Sequence, residues 1–487
     1  MSATAVLVGA ALGLIVGAVH LLDRHLGEGA GKHQRVQGAR WASRRDLRQL
    51  HVDGPKPGRL ILGRHGKHLI AAQERASVLI VGPSTTSLKT SGFAIPSLLE
   101  WRGPALVTSV KSDLLLATIA RRRKLGKAMV FDPGGVTGEK SKTTATPLSA
   151  CGSWRGAMRM AHWLSQAARA SSSGGLQDAA FWHTAAEKLL APLLYAAASS
   201  GGTMEDVIEW LNGGGEADSE VRKRLGRTEA SDQALSAWKA NHNREERQRS
   251  SIYTTAETIL SAFSDPCVLA ASKGAEYTPA ALLDGEPNTL YLCAPAHEQE
   301  RLRTLFAAMT AELVAEVYES SAKTGKPLDP PLLIVLDEAA NIAPLPDLDV
   351  LASSGAGQGI QLVTVFQDLA QVQARYGRRA QTIVNNHRAK VFASGVGDPD
   401  TLRYISQVIG AGAFRQRSET AAEQGRSSAT EGTTYRDLAP PNVIRGAKPG
   451  SALLVYGHLA PGRIELRPWF KDAALSELVE GRGGDES

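Results

Sequence analysis

The sequence predicts an α/β fold: a parallel-sheet domain interrupted by an all-α insertion and preceded by a single membrane-spanning helix. Three observations carry this. Short apolar runs alternate with helical patterns on both sides of the middle third of the chain. The middle third has helical apolar spacing and no convincing strand. Residues 3–22 contain no charged side chain. Alternating strands and helices mark a parallel sheet with helical crossovers. The chain has 487 residues, enough for two or three domains. It is 43% hydrophobic and 21% charged, which excludes a mostly disordered chain, and the single long apolar run excludes a polytopic membrane protein. A net charge of +6 permits contact with nucleic acid or anionic lipid and requires neither.

The elements follow in order. Ala3 to Leu22 is 20 residues long, the length a hydrocarbon core of about 30 Å demands. No Lys or Arg precedes it, so the pattern favours an uncleaved anchor over a signal peptide. Seven basic residues against three acids between Asp23 and Leu50 place the remaining chain on the cytoplasmic side. Residues 23–57 then read as a basic juxtamembrane linker, in which Trp41 suits either the interface or simple packing. From Gly58 the runs RLILG, HLIAA, ASVLIVG, PALVTSV and AMVFDP read as strands, with a helix at LLLATIARRRKLG. Residues 58–149 form the first part of the α/β domain and 150–280 the all-α insertion. Residues 281–475 form the second part, with strands at TLYLCAP, PLLIVLDEA, IQLVTVFQ and AKVFASG. SALLVYGH and GRIELRPWF read as a closing hairpin, Ser418–Thr434 as a polar mobile loop, and 476–487 as a flexible tail. Cys151, Cys267 and Cys293 are too scattered for a zinc site or disulfide framework.

Two strand ends carry chemistry. ASVLIVG-PSTTSLKTSG is a strand, a loop of small polar residues, and Lys89-Thr90 opening a helix. In a phosphate loop the backbone N–H groups wrap phosphates, a Lys reaches the β- and γ-phosphates, and a Thr binds Mg²⁺. The segment Gly82, Pro83, Ser84, Thr85, Thr86, Ser87, Leu88, Lys89, Thr90 and Ser91 is the candidate nucleotide loop. Its fit is imperfect, because the template wants glycine where Pro83 and Leu88 stand. A polar turn capped by Ser or Thr gives the same pattern.

PLLIVLDEA is an apolar run ending in Asp337-Glu338. A strand buried on both faces ends there, where an Asp holds Mg²⁺ through water and the next Glu activates the attacking water. The bland alternative is a helix cap. Lys89 and Asp337 are 248 positions apart, and the insertion fills much of that distance. Gln367, ending IQLVTVFQ, suits a γ-phosphate sensor or a plain turn residue.

Taken together, IVGPSTTSLKTSG with FAIPSLLEW, ALVTSVKSDLL, MVFDP, FWHTAAEKLLAPLL, LIVLDEA with NIAPLPDL, and VTVFQDLAQ resemble the type IV coupling proteins of the VirD4/TraG/TraD family, relatives of FtsK-type DNA translocases. The resemblance covers nearly the whole chain. It implies a RecA-like P-loop motor domain with an inserted all-α domain, assembled as a membrane-anchored homo-hexamer. It implies ATP hydrolysis with Mg²⁺ that drives DNA, without sequence specificity, or a relaxase–DNA complex to type IV secretion channel proteins. By motif, Lys89 and Thr90 match Walker A, Asp337 and Glu338 match Walker B, and Gln367 the third motif. Lys111 and Asp113 fall near the nucleotide. Catalysis would rest on Lys89, Glu338 and Gln367, and Mg²⁺ on Thr90 and Asp337.

Leu88 departs from the family pattern, as does the single membrane helix. No arginine lies between Glu338 and Gln367, leaving Arg375, Arg378 and Arg388 as finger candidates. NREERQRS and RRAQTIVNNHRAK are candidate DNA-facing stripes or solvated faces. Two alternatives stand beside the motor: a catalytically weak docking scaffold, and an FtsK-like chromosome translocase.

Overall fold

The structure, a computed structural model, describes residues 38–83, 87–109, 111–139, 142–169, 176–421 and 427–481. The expected anchor at 3–22 lies outside these residues. Among the described residues no helix is long and apolar enough to cross a membrane. The chain divides into two compact units, one containing Gly410–Leu438 with the segment up to Arg40, the other containing the rest.

The larger unit is built on a twelve-stranded sheet. Its strands are β1 (His51–Val52), β2 (Ile61–His65), β3 (His68–Ala71), β4 (Val78–Val81), β5 (Ala105–Ser109), β6 (Ala128–Phe131), β7 (Thr289–Cys293), β8 (Leu332–Leu336), β9 (Ile360–Phe366) and β10 (Ala389–Ala393). In the smaller unit, β11 (Ala411–Ala421) and β12 (Ser427–Asp437) follow, and β13 (Ser451–Tyr456) and β14 (Gly462–Glu465) return to the large sheet. The order is β1-β3-β2-β14-β13-β10-β4-β9-β8-β5-β7-β6. From β10 to β6 every neighbouring pair is parallel, and from β13 to β1 every pair is antiparallel.

The residue patterns explain this split. β4 (VLIV), β8 (LLIVL) and β9 (IQLVTVF) are buried at every position, as strands covered on both faces must be. β13 alternates between buried and half-buried positions, the mark of a strand with one solvated face. β4, β9, β8 and β5 are consecutive neighbours, so the segments following them emerge side by side along one sheet edge. Crevices at such carboxyl edges are where α/β sheets bind ligands.

No strand lies among the described residues between β6 and β7. Helices Trp154–Arg169, Leu176–Ser199, Met204–Gly213, Asp218–Leu225, Ser231–His242 and Glu246–Ile259 fill the interval. The first buries Ala157, Met160, Ala161, Leu164 and Ala167, a stripe of helical period. Thr203 and Asp206 form a capping box at the start of Met204–Gly213. The chain leaves and re-enters the sheet side by side: Ala145 N–H donates to Ala271 O at 3.0 Å and Tyr277 N–H to Thr144 O at 3.0 Å.

Three sequence expectations are corrected. Residues 41–57 are not a free linker. Leu47 and Leu50 are fully buried, β1 joins the sheet edge, and the Arg463 guanidinium lies 4.1 Å from the Trp41 ring centre. Two leucines amid many cations were too sparse to announce a packed segment. Residues 418–421 and 427–434 are strand rather than loop. Residues 411–421 pair antiparallel with 427–437 from Ala411↔Asp437 to Ala421↔Ser427. The sequence of these strands is mostly small and polar and leaves no period-two apolar signal. The tail does not begin at 476, because helix Ala473–Val479 packs Leu475 into the core.

Candidate functional site

The loop after β4 is shaped by close approach. Gly82 N–H donates to Phe366 O of β9 at 3.0 Å. A β-carbon on Gly82 would meet Ser87 Cβ at 2.8 Å and Ala393 Cβ at 2.9 Å, so only glycine fits. Ser84, Thr85 and Thr86 lie outside the described residues. Half-buried Pro83 and buried Ser87 close the loop, with Ser87 Oγ donating to Pro83 O at 2.5 Å. Leu88 has φ +55°, in the left-handed region. The backbone thus takes there the conformation glycine adopts freely, and a leucine in it costs about 1–2 kcal/mol.

Helical geometry begins at Lys89, with a wide turn over Thr90–Ala94 leading into Ile95–Glu100. Pro96 has no N–H to return to Gly92 O, so that carbonyl accepts Arg467 N–H at 3.1 Å instead. Ser91 is half-buried in the first turn.

β8 delivers the carboxylates to this loop. Thr90 Oγ1 donates to Asp337 Oδ2 at 3.1 Å across 247 residues of sequence. Thr108 Oγ1, near the end of β5, donates to Asp337 O at 3.2 Å and fixes the strand end. Asp337 is buried, and its Oδ1 has no hydrogen-bond partner among the described residues. Burial pushes its pKa up to about 6; the Lys89 charge opposes this, while Glu338 and Asp113 add to it.

Lys89 is also buried, and its Nζ has no hydrogen-bond partner among the described residues. Burial lowers its pKa; Asp337, Glu338 and Asp368 pull it back and Lys111 lowers it further. Lys89 therefore lies within electrostatic reach of three carboxylates and one further lysine, and both it and Asp337 keep unused hydrogen-bonding capacity among the described residues. Glu338 has φ +58°, and its Oε2 accepts from Asn341 Nδ2 at 3.3 Å.

Gln367 follows β9, the strand between the Lys89 and Asp337 strands. Its N–H donates to Gln371 Oε1 at 3.0 Å, and Asp368 caps helix Leu369–Tyr376 by accepting Gln371 N–H at 2.8 Å. Sequence reasoning missed Asp368 as a neighbour of the lysine and Asn341 as the partner of Glu338. Asp368 carried one legible signal, an acid directly after a buried strand and before a helix. Lys111 and Asp113, after β5, act electrostatically on Lys89 and Asp337 respectively.

The remaining arginines separate. Arg375 Nε donates to Ala340 O at 3.0 Å, against the turn after Glu338. Arg378 is exposed. Arg388 immediately precedes β10, its N–H donating to Ser77 Oγ at 3.3 Å, which puts it at the edge opposite the phosphate loop. RRAQTIVNNHRAK is not one stripe. Arg379 is held by Asp347 and Asp349, Arg388 lies over Tyr456, and Lys390 Nζ donates to His387 O at 2.7 Å. In NREERQRS, Glu245 and Glu246 sit between Arg244 and Arg247, and Arg249 Nη1 donates to His242 O at 3.1 Å.

A family model described as type IV secretory system conjugative DNA transfer matches residues 32–481. The conjugal transfer protein TraG of Escherichia coli is 23% identical over 482 residues, covering 88% of this chain and 73% of the relative. The protein VirD4 of Agrobacterium fabrum (strain C58) is 23% identical over 464 residues, covering 92% and 68%. Across the curated relatives, the chain spans between 60% and 73% of their own length. The bacterial conjugative coupling protein TrwB in its unbound form superposes with TM-score 0.65 at 17% identity, covering 89% of this chain and 93% of that one. TrwB in complex with ADP and Mg²⁺ gives 0.64 at 16% identity, covering 89% and 94%. These structures share the fold.

Proposed function

The chain belongs to the type IV secretory system conjugative DNA transfer family, and from that premise we propose that it is an ATP-hydrolysing coupling protein that drives DNA or a relaxase–DNA complex to a type IV secretion channel. The observation that carries this reading is the hydrogen bond from Thr90 to Asp337, beside the unpaired Lys89 Nζ. Two half-sites remote in sequence meet at one sheet edge.

The residues present fit a magnesium nucleotide. Asp337 Oδ1 and Lys89 Nζ are buried polar atoms without a partner among the described residues, which is costly unless a ligand engages them. Thr90 and Asp337 would hold Mg²⁺, which neutralises phosphate charge when bound. Lys89 would neutralise charge developing on the transferred phosphoryl oxygens. Glu338 would orient and deprotonate the attacking water once its carboxylate leaves Asn341, and Gln367 would sense the γ-phosphate from the intervening strand. The raised pKa of Asp337 and the lowered pKa of Lys89 both move back toward their ordinary values when opposite charge arrives.

We further propose anchoring by residues 3–22 in the inner membrane, with the bulk of the chain cytoplasmic, and assembly as a homo-hexamer around a DNA path. TrwB binds ADP and Mg²⁺, which supports the same ligands here. A second reading, a weakly hydrolysing docking scaffold, is favoured by one observation: Leu88 occupies a left-handed position within the nucleotide loop.

ATP turnover by the full-length protein, with and without DNA, separates the two. Turnover stimulated by DNA and lost in Lys89→Ala supports the motor. A folded, DNA-binding protein without turnover overturns it in favour of the scaffold.

A further inference from the structure

The turn after β8 holds Glu338 in an orientation that water activation does not use. Glu338 has φ +58°, a left-handed conformation that residues with side chains rarely adopt. Its carbonyl accepts Asn341 N–H at 2.8 Å and Ile342 N–H at 3.2 Å, and Ala339 N–H donates to Val365 O of β9 at 3.1 Å. The chain therefore curls back on Glu338 while staying pinned to the neighbouring strand. This curl brings the Asn341 side chain to the carboxylate, and Asn341 Nδ2 donates to Glu338 Oε2 at 3.3 Å.

The carboxylate stands close to the phosphate loop, since its charge acts on both Lys89 and Asp337. A hydrogen bond donated to the charged form of an acid stabilises that form and fixes where its oxygens point. A general base needs the reverse, full basicity and freedom to reach the water. The turn is also tied to the third motif. Helix Leu369–Tyr376 begins beside Gln367, whose N–H donates to Gln371 Oε1 at 3.0 Å. It carries Arg375 near its other end, whose Nε donates to Ala340 O at 3.0 Å, one residue before Asn341. The amide that holds Glu338 and the strand end that carries Gln367 thus share one support.

We propose that Asn341 is a positioning residue for hydrolysis, a latch that keeps the Glu338 carboxylate off the attacking water until DNA engages the protein. It rests on the motor reading above and deepens it, by giving a reason for turnover to wait on substrate. Asn341 itself touches no reacting atom. It acts only through the orientation and basicity of Glu338, so its removal should release hydrolysis and leave nucleotide binding alone.

The test uses the full-length protein with and without nucleotide. Without nucleotide, urea unfolding is measured for Asn341→Ala, Glu338→Ala and the two combined. The contact predicts non-additivity of about fivefold in the unfolding constant, the factor that one net hydrogen bond represents. With ATP and Mg²⁺, Asn341→Ala should raise turnover in the absence of DNA by about the same factor. Its turnover at saturating DNA and its affinity for a fluorescent ATP analogue should match the parent, and the gain should vanish when Glu338→Gln is added. Turnover and affinity falling together would make Asn341 merely structural and overturn the proposal. Additive unfolding, or no gain in DNA-independent turnover over an active parent, overturns it while the motor reading stands. No turnover in the parent or any variant overturns the motor reading and the latch with it. Asn341→Asp, equal in size without the donor, replaces Asn341→Ala if that variant fails to fold.

Discussion

Lys89 and Arg122 are buried cations at opposite edges of the same parallel sheet, and their surroundings differ in kind. The Lys89 ammonium has carboxylates nearby but no hydrogen-bond acceptor among the described residues. Arg122 donates to Thr289 Oγ1 at 2.6 Å and to the carbonyls of Trp101, Gly103 and Pro287, the latter two at 2.8 Å. Burial lowers both pKa values, that of Arg122 to about 10. Burial alone therefore does not mark function. A cation whose donors are all engaged closes loops. One whose donors are unengaged is arranged for a ligand.

Substitutions that exchange stability for activity break or sharpen this contrast. The largest effect belongs to Lys89→Ala. ATP turnover should fall about 10²–10³-fold, the usual cost of losing one donor to developing charge. Its urea midpoint should barely move, since no hydrogen bond in the protein is lost.

Arg122→Met should do the reverse. It orphans several buried carbonyls and should lower unfolding free energy by about 3–5 kcal/mol, measured by urea denaturation. Turnover per folded molecule should persist. Equal stability losses in the two variants would erase the distinction.

Glu312 is an intermediate case, a buried acid on helix Gln299–Thr324 with a single 3.4 Å contact from Ser149 Oγ. Burial raises its pKa to about 7, Ser149 opposes and Glu316 reinforces the shift. The folded pKa exceeds the unfolded one, so the contribution is present below pH 4.5 and is lost as pH rises through 7. Glu312→Gln should therefore match the parent near pH 4.5 and exceed it by up to ~3 kcal/mol at pH 8, read from unfolding curves.

The smallest effect is at Leu88. Leu88→Gly should relieve a left-handed strain of about 1–2 kcal/mol and tighten nucleotide binding several-fold in a fluorescent-nucleotide titration.

The same contrast explains what was legible in the sequence. The two candidate half-sites carry a local pattern, because β4 and β8 are uninterrupted apolar runs, the first followed through a short polar loop by Lys89-Thr90 and the second directly by Asp337-Glu338. That Leu88 takes a left-handed φ is also local, and the glycine expected at that position pointed to it. Arg122 could not be read. It sits in a run of three arginines, and only tertiary structure brings the Pro287 and Gly103 carbonyls to one of them. Asp368 and Asn341 depend likewise on which strands are neighbours. The pairing of 411–421 with 427–437 was hidden for a different reason, since the sequence of these segments is mostly small and polar and carries no period-two apolar signal.

The central claim is that Lys89, Asp337 and Glu338 form one nucleotide site with divided roles. It is tested most directly by measuring ATP binding and ATP hydrolysis side by side in Glu338→Gln and Lys89→Ala. The account predicts that Glu338→Gln still binds ATP with Mg²⁺ but hydrolyses it at least about a hundredfold more slowly, whereas Lys89→Ala loses both. Undiminished hydrolysis by Glu338→Gln would contradict it.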